Sequence, residues 1–180
     1  FLKYFNDSMG DLMKQRVVEL TEFGKAEKMK LIEASIPSPG PGQIVVKNNA
    51  IGLNYLDTYF RSGLYPWPNQ EKIKIPGSEG VGFVHSVGSD VVELKEGDNV
   101  SYVTPVGAYA EYALINAVHA VEIKVKVNDF DVVACTLKGL TTHYLLHLTF
   151  NLKSGMTALV HAAAGGVGQL MGQWGSEIGA

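Results

Sequence analysis

Residues 163–168 of this 180-residue chain read Ala-Ala-Gly-Gly-Val-Gly. They follow the apolar run Thr157–Ala162 and open a segment whose apolar positions are Val167, Leu170, Met171, Trp174 and Ile178. A strand that ends in a tight turn of small residues can aim backbone N–H groups at an anion, and the helix that follows adds the positive end of its dipole. The segment fits the G-x-G-x-x-G frame with alanine in first place: Gly165 would admit a phosphate and Gly168 would let helix and strand pack closely. A strand–turn–helix corner built only for packing gives a similar string. The buried-strand pattern before it and the amphipathic helix after it favour the anion-binding reading. The position that would read the ribose, about 20 residues further on, falls beyond Ala180, so NAD and NADP are not told apart here.

Other residue types that carry chemistry offer less. His143 and His147 stand four apart on a helical pattern, but HYLLH lacks the glutamate of HExxH, and their expected role is helix packing or surface. Cys135 is the lone cysteine, so no internal disulfide forms and a reducing compartment, the cytosol, is expected. Zinc wants thiolate and imidazole ligands that one cysteine does not supply, and no metal is expected. No nucleophile paired with a base stands out. The net charge of −3 argues against nucleic acid. The one basic alternation, Lys124 and Lys126 between Val125 and Val127, reads as a half-exposed strand. No apolar stretch is long enough for a membrane span. Residues 1–12, with Lys3 and Asp7, do not form a signal peptide; they read as an extension, and Met13 as the natural start of the folded part.

Short strands with turns between them must position these residues. Arg16–Leu20 alternates weakly, the Pro37–Gly42 cluster is a stiff turn, and Gln43–Lys47, Gly80–Val87, Asn99–Thr104 and Tyr109–Ile115 read as strands. Asn54–Ser62 reads as a short helix, with Leu56 and Phe60 four apart. Strands at this spacing predict a β-barrel or sandwich. Near residue 128 the pattern changes. Asn128 or Asp129 can cap a helix with Asp131 in its first turn, and Leu145, Leu148 and Leu152 form one helical stripe ended by Lys153-Ser154-Gly155.

Six stretches, taken together, resemble the zinc-free quinone oxidoreductases, the zeta-crystallin-like branch of the medium-chain dehydrogenase/reductases. They are AIGLNYLDTYFRSGLYPWP (Ala50–Pro68), IPGSEGVGFVHSVGSDV (Ile75–Val91), EGDNVSY (Glu96–Tyr102), GAYAEYALI (Gly107–Ile115), LKGLTTHYLL (Leu137–Leu146) and HAAAGGVG (His161–Gly168). The resemblance implies a GroES-like β-barrel catalytic domain over 13–128, then linking helices and the first β–α unit of an incomplete Rossmann domain over 129–180. The chain resembles only the N-terminal half of that family. Its zinc-dependent relatives place a cysteine and a histidine near the positions held here by Asn54 and Ser78.

By the same resemblance Asn54, Tyr55, Leu56, Asp57 and Tyr59 lie where the family contacts the nicotinamide half of NADPH. Tyr59 and Tyr65 would line the acceptor pocket; with Asn54 they are the expected catalytic residues. Lys138, Thr141 and Thr142 would face the cofactor, and Ala163, Ala164, Gly165, Gly166 and Val167 would hold its pyrophosphate. Read without the resemblance, Asn54 and Asp57 are also helix caps and the tyrosines ordinary half-buried aromatics. The implied activity is hydride or single-electron transfer from NADPH to a quinone or conjugated carbonyl, in a parent expected to be a homodimer. An enoyl or alkenal reductase of the same superfamily, or a non-catalytic binding module, stands as the alternative. As half of such an enzyme, the chain alone is expected to bind NADPH weakly or not at all.

Overall fold

The computed structural model describes residues 13–68 and 72–180; the expected extension over residues 1–12 lies outside them. The chain divides into two compact units, one ending at Lys126 and the other beginning at Val127. Among the described residues no helix is long and apolar enough to cross a membrane.

In the first unit β1 (Lys14–Leu20) and β2 (Met29–Ser35) form an antiparallel hairpin. A five-stranded sheet follows, built from β3 (Gln43–Ile51), β4 (Glu79–Val87), β5 (Asn99–Val103), β6 (Tyr112–Asn116) and β7 (Ala120–Glu122), with the helix α1 (Tyr55–Ser62) between β3 and β4. The order is β6-β3-β4-β5-β7, all antiparallel. Its core gathers Ile44, Val46, Val84, Leu94, Val100, Tyr102, Ala108, Ala113 and Ile115. The hairpin joins through β1: Val18 N donates to Tyr109 O at 2.9 Å and Glu111 N to Arg16 O at 3.1 Å, and Val17 bridges Ala110. Four strands expected from alternation coincide with β3, β4, β5 and β6 in place and type, and the weak Arg16–Leu20 pattern is β1. The sequence reading missed β2 and β7. The alternation at 122–127 is not a strand beyond Glu122. Val125 and Val127 stand exposed there, because a strand needs a ladder partner and the last backbone bond to β5 is Ile123 N to Asn99 O at 2.8 Å, where β5 begins.

One polar side chain ties this unit's interior. Asn48 on β3 donates Nδ2 to Ala110 O at 2.9 Å and to Ala108 O at 3.2 Å. Its Oδ1 accepts the Tyr102 hydroxyl of β5 at 2.8 Å. Tyr102 is 1% exposed, and burial pushes its phenol far above the ordinary range, since the anion has no water to solvate it.

In the second unit α2 (Asp129–His143) is capped by Asn128, whose Oδ1 accepts from Phe130 N at 2.8 Å, with Asp129 and Asp131 in its first turn. A π-helical turn, Tyr144–Thr149, continues it, and α3 (Gly166–Ile178) follows the glycine loop. The expected leucine stripe is broken. The π turn advances the phase, so Leu146 becomes the buried residue, Leu148 is exposed, and Leu152 is buried outside the helix. Thr157–Ala162, expected as a buried strand, pairs with nothing among the described residues and is largely exposed, Leu159 at 85%. An apolar run becomes a strand only where another strand takes up its N–H and C=O groups. His143 and His147 pack on Trp174 of α3, with ring centroids 5.9 and 5.3 Å away.

Replacing Tyr102 by Phe should destabilise the chain by about 1–3 kcal/mol, because Asn48 Oδ1 is left buried without its donor. Urea unfolding of the two proteins side by side measures it, and a change within error would show that Asn48 finds another donor.

Candidate functional site

Asn54 precedes α1 in extended conformation and Gly63 ends the helix in the left-handed region, its N–H on Phe60 O. Asn54 and Asp57 form a capping box in which Asn54 N donates to Asp57 Oδ2 at 2.9 Å. Asp57 is 5% exposed and takes two further donors: the Ser78 hydroxyl to Oδ1 at 2.7 Å and the Tyr109 hydroxyl to Oδ2 at 2.8 Å. Each of these named partners is a neutral donor. Burial first, and then the Asp57 hydrogen bond, drive the Tyr109 phenol far above its usual range. Ser78 also reaches Pro105 O at 3.3 Å. The Asn54 side chain accepts the Asp57 N–H of the same capping box and donates Nδ2 to Glu79 Oε1 at 2.8 Å.

Above this network lies a cleft of about 310 Å³ lined by Leu53, Asn54, Tyr55, Asp57, Thr58 and Tyr109, among others. Leu53 and Tyr55 are 79% and 76% exposed, so the cleft combines accessible apolar walls with hydrogen-bonded polar groups. On the adjoining face of α1, Tyr59 stacks between Tyr55 and Tyr65, with centroids 5.5 and 5.3 Å away. Phe60 holds Tyr65 and Trp67 edge-on at 5.7 and 6.2 Å. Leu56 is half-buried under the helix. The structure thus brings Asn54, Tyr55 and Asp57 to one cleft and Tyr55, Tyr59 and Tyr65 to one aromatic row. A larger hollow of about 520 Å³, bordered by Gln15, Gln43, Thr104 and Tyr112, contains none of the expected residues.

In the second unit Ala162 has a φ of 54° and accepts from Gly165 N at 2.9 Å, closing the turn that opens α3. Ala163, Ala164, Gly165 and Gly166 are exposed and Val167 half-buried. No acidic residue stands in the first turn of α3, which leaves the N–H groups of a positive helix end facing outward. A Cβ at Gly168 would press on the Cα of Ala163 at 2.6 Å, so only glycine lets the loop fold over the helix. The methylenes of Lys138 lie against Gly166, 2.7 Å from where its Cβ would stand. Thr141 and Thr142, expected by resemblance to face the cofactor, lie on α2. Their hydroxyls donate back to Leu137 O and Lys138 O at 2.8 Å, and Thr142 is fully buried. Among the described residues no group of three or more His, Cys, Asp and Glu could hold a metal ion.

Sequence reasoning does not select Tyr109. Tyr109 reads as one more strand aromatic in GAYAEYALI, and its partner Asp57 is 52 residues away; no local spacing announces such a pair.

Residues 40–125 match the family model described as the alcohol dehydrogenase GroES-like domain. The chain is 43% identical over 166 residues to a quinone oxidoreductase of Pseudomonas aeruginosa, which covers 90% of this chain and 50% of that protein. Among solved structures it is similar to a quinone oxidoreductase of Pseudomonas syringae pv. Tomato DC3000, with 42% identity, a TM-score of 0.88, and 92% and 51% of the two chains covered. It is also similar to an Escherichia coli quinone oxidoreductase complexed with NADPH, with 37% identity, a TM-score of 0.83, and 93% and 51% covered. The chain spans about half the length of the curated relatives it matches.

Tyr102 and Tyr109 both have folded-state pKa values above their unfolded one. Their contribution to stability is therefore complete below about pH 10 and is lost as pH rises from there toward the folded values. Unfolding midpoints taken across the alkaline range should fall. Replacing Tyr109 by Phe should flatten that fall, and an identical alkaline slope in the variant would remove Tyr109 as its source.

Proposed function

We propose that this chain, which belongs to the medium-chain dehydrogenase/reductase superfamily and carries its alcohol dehydrogenase GroES-like domain, forms the substrate-side half of a zinc-independent NADPH:quinone oxidoreductase. The observation that carries the reading is the cleft of the first unit. Asn54 and Asp57 converge there on a buried hydrogen-bond network, and the Tyr55–Tyr59–Tyr65 row flanks it.

Hydride transfer requires little of a protein beyond orientation, exclusion of water and a donor for the oxygen that becomes negative. The reduced nicotinamide supplies the hydride or single electron when bound. Asn54, its amide and backbone both held, would orient the nicotinamide side, with Tyr55 and Leu53 as apolar walls. Tyr59 and Tyr65 would offer flat rings and hydroxyl donors to a quinone oxygen. The residues of the second unit fit an anion. The small-residue turn over the start of α3, free of acidic side chains, suits a pyrophosphate, and Lys138 beside Gly166 adds a cation. Asn54 and Ser78 support the zinc-independent reading, since neither is a thiolate or imidazole and both are engaged with carboxylates.

Titration with NADPH, followed by amide NMR, should shift two sets of resonances: those of residues 53–61 and those of residues 162–168. Saturation is expected to be weak. Nicotinamide mononucleotide should move only the first set and pyrophosphate only the second. Shifts absent from both sets at saturating ligand would overturn the proposal. Oxidation of NADPH by benzoquinone, compared with a 2-alkenal, separates a quinone reductase from an alkenal reductase.

A further inference from the structure

The Glu79 carboxylate is fully buried at the start of β4, with its acid group turned toward the end of β3. The chain makes room for it. A Cβ at Gly52 would fall inside the van der Waals envelope of Glu79 Oε1, Cγ and Cδ, so position 52 carries no side chain. Gly52 N donates to Glu79 O at 3.2 Å, which holds the two segments at that spacing. Into this space Asn54 sends Nδ2, 2.8 Å from Glu79 Oε1. Glu79 Oε1 is the acceptor here, so the NH₂ end of the amide faces it, and the amide oxygen faces away and takes the Asp57 N–H of the capping box. On its other side Asn54 is held through its backbone N–H by Asp57, which Ser78 and Tyr109 fix in turn. Asn54 is thus gripped at two points by two buried acids, while it lines the cleft.

We infer that Glu79 is a positioning residue: through its hydrogen bond to Nδ2, with the Asp57 N–H on the amide oxygen, it holds the Asn54 amide in one of its two flip states and presents that state to the ligand in the cleft. The ligand part of this inference rests on the nicotinamide reading above; the positioning part does not. Packing alone would be served by an apolar side chain at 79. A buried acid is costly there and is retained where its acceptor-only chemistry orients a donor.

The test uses the full chain and the near-isosteric change Glu79→Gln. Glutamine keeps the volume, weakens the acceptor and tolerates either amide orientation. Solvent exchange of the Asn54 Nδ2 protons, assigned by their loss in Asn54→Ala, is measured by NMR beside the backbone amides of β4 and α1. Selective acceleration of the Asn54 side-chain protons by about tenfold is expected, the difference between a charged and a neutral acceptor, with the β4 amides unchanged. Ser78→Ala, which leaves Glu79 in place, should not reproduce it. Unchanged exchange in Glu79→Gln overturns the inference, and so does equal acceleration of the β4 amides, which would make Glu79 a fold residue only. In the NADPH titration Glu79→Gln should weaken binding by the same factor as Asn54→Ala, and the double variant by no more than either. Additive losses would overturn the coupling. Should the unaltered chain give no NADPH response, the nicotinamide reading falls, and the exchange data alone decide the positioning role.

Discussion

A buried carboxylate organises the first unit. Taking Asp57 out of water costs several kcal/mol unless its oxygens are occupied, and three donors occupy them: Asn54 N, the Ser78 hydroxyl and the Tyr109 hydroxyl. They come from the cap of α1, from the residue before β4 and from the approach to β6. One side chain therefore pins a short helix to two separate parts of the sheet. An eight-residue helix is too short to hold its shape by propensity alone; here its N-terminus is fastened to a rigid scaffold. The cleft and the aromatic row follow from where that helix is held.

The sheet beneath has its own polar tie in Asn48, which meets β5 through Tyr102 and the 108–110 segment through two carbonyls. Tyr109 lies in that same segment, between Ala108 and Ala110. Its backbone carbonyl receives β1 and its side chain reaches Asp57. The interior of the unit and the polar floor of its cleft are thus linked through three consecutive residues. The second unit is built differently. It is helical and small, and it leaves Phe130, Leu140, Leu148 and Leu159 more than half exposed, while α3 opens on a turn of small residues with no acidic side chain in its first turn.

Much of the architecture was legible because it is written in local patterns. Alternation marked the positions of β3 to β6, Asn54 and Gly63 bracket α1 with standard cap chemistry, and the spacing of Val167, Leu170, Met171, Trp174 and Ile178 marked α3. What failed, failed for want of a partner. Thr157–Ala162 has the composition of a strand but no neighbour to pair with among the described residues, and Lys124–Val127 alternates beyond the end of the ladder. The leucine stripe assumed a constant helical period, which the π turn at Tyr144–Thr149 breaks.

The sequence by itself determined the types of β1, β3 to β6, α1 and α3, the change of character near residue 128, the small-residue loop and a set of candidate side chains around Asn54. Those properties depend on residues within a few positions of one another, where chain geometry alone sets the distances. Only the tertiary structure decided that Tyr109 and Ser78 close on Asp57, that Glu79 meets the Asn54 amide, and that Gly52 is empty so that it can. Each of those contacts joins residues far apart in the chain or depends on which rotamer packing allows. Hydrogen bonds of that kind follow from the pairing of strands, which periodicity reports and register alone decides.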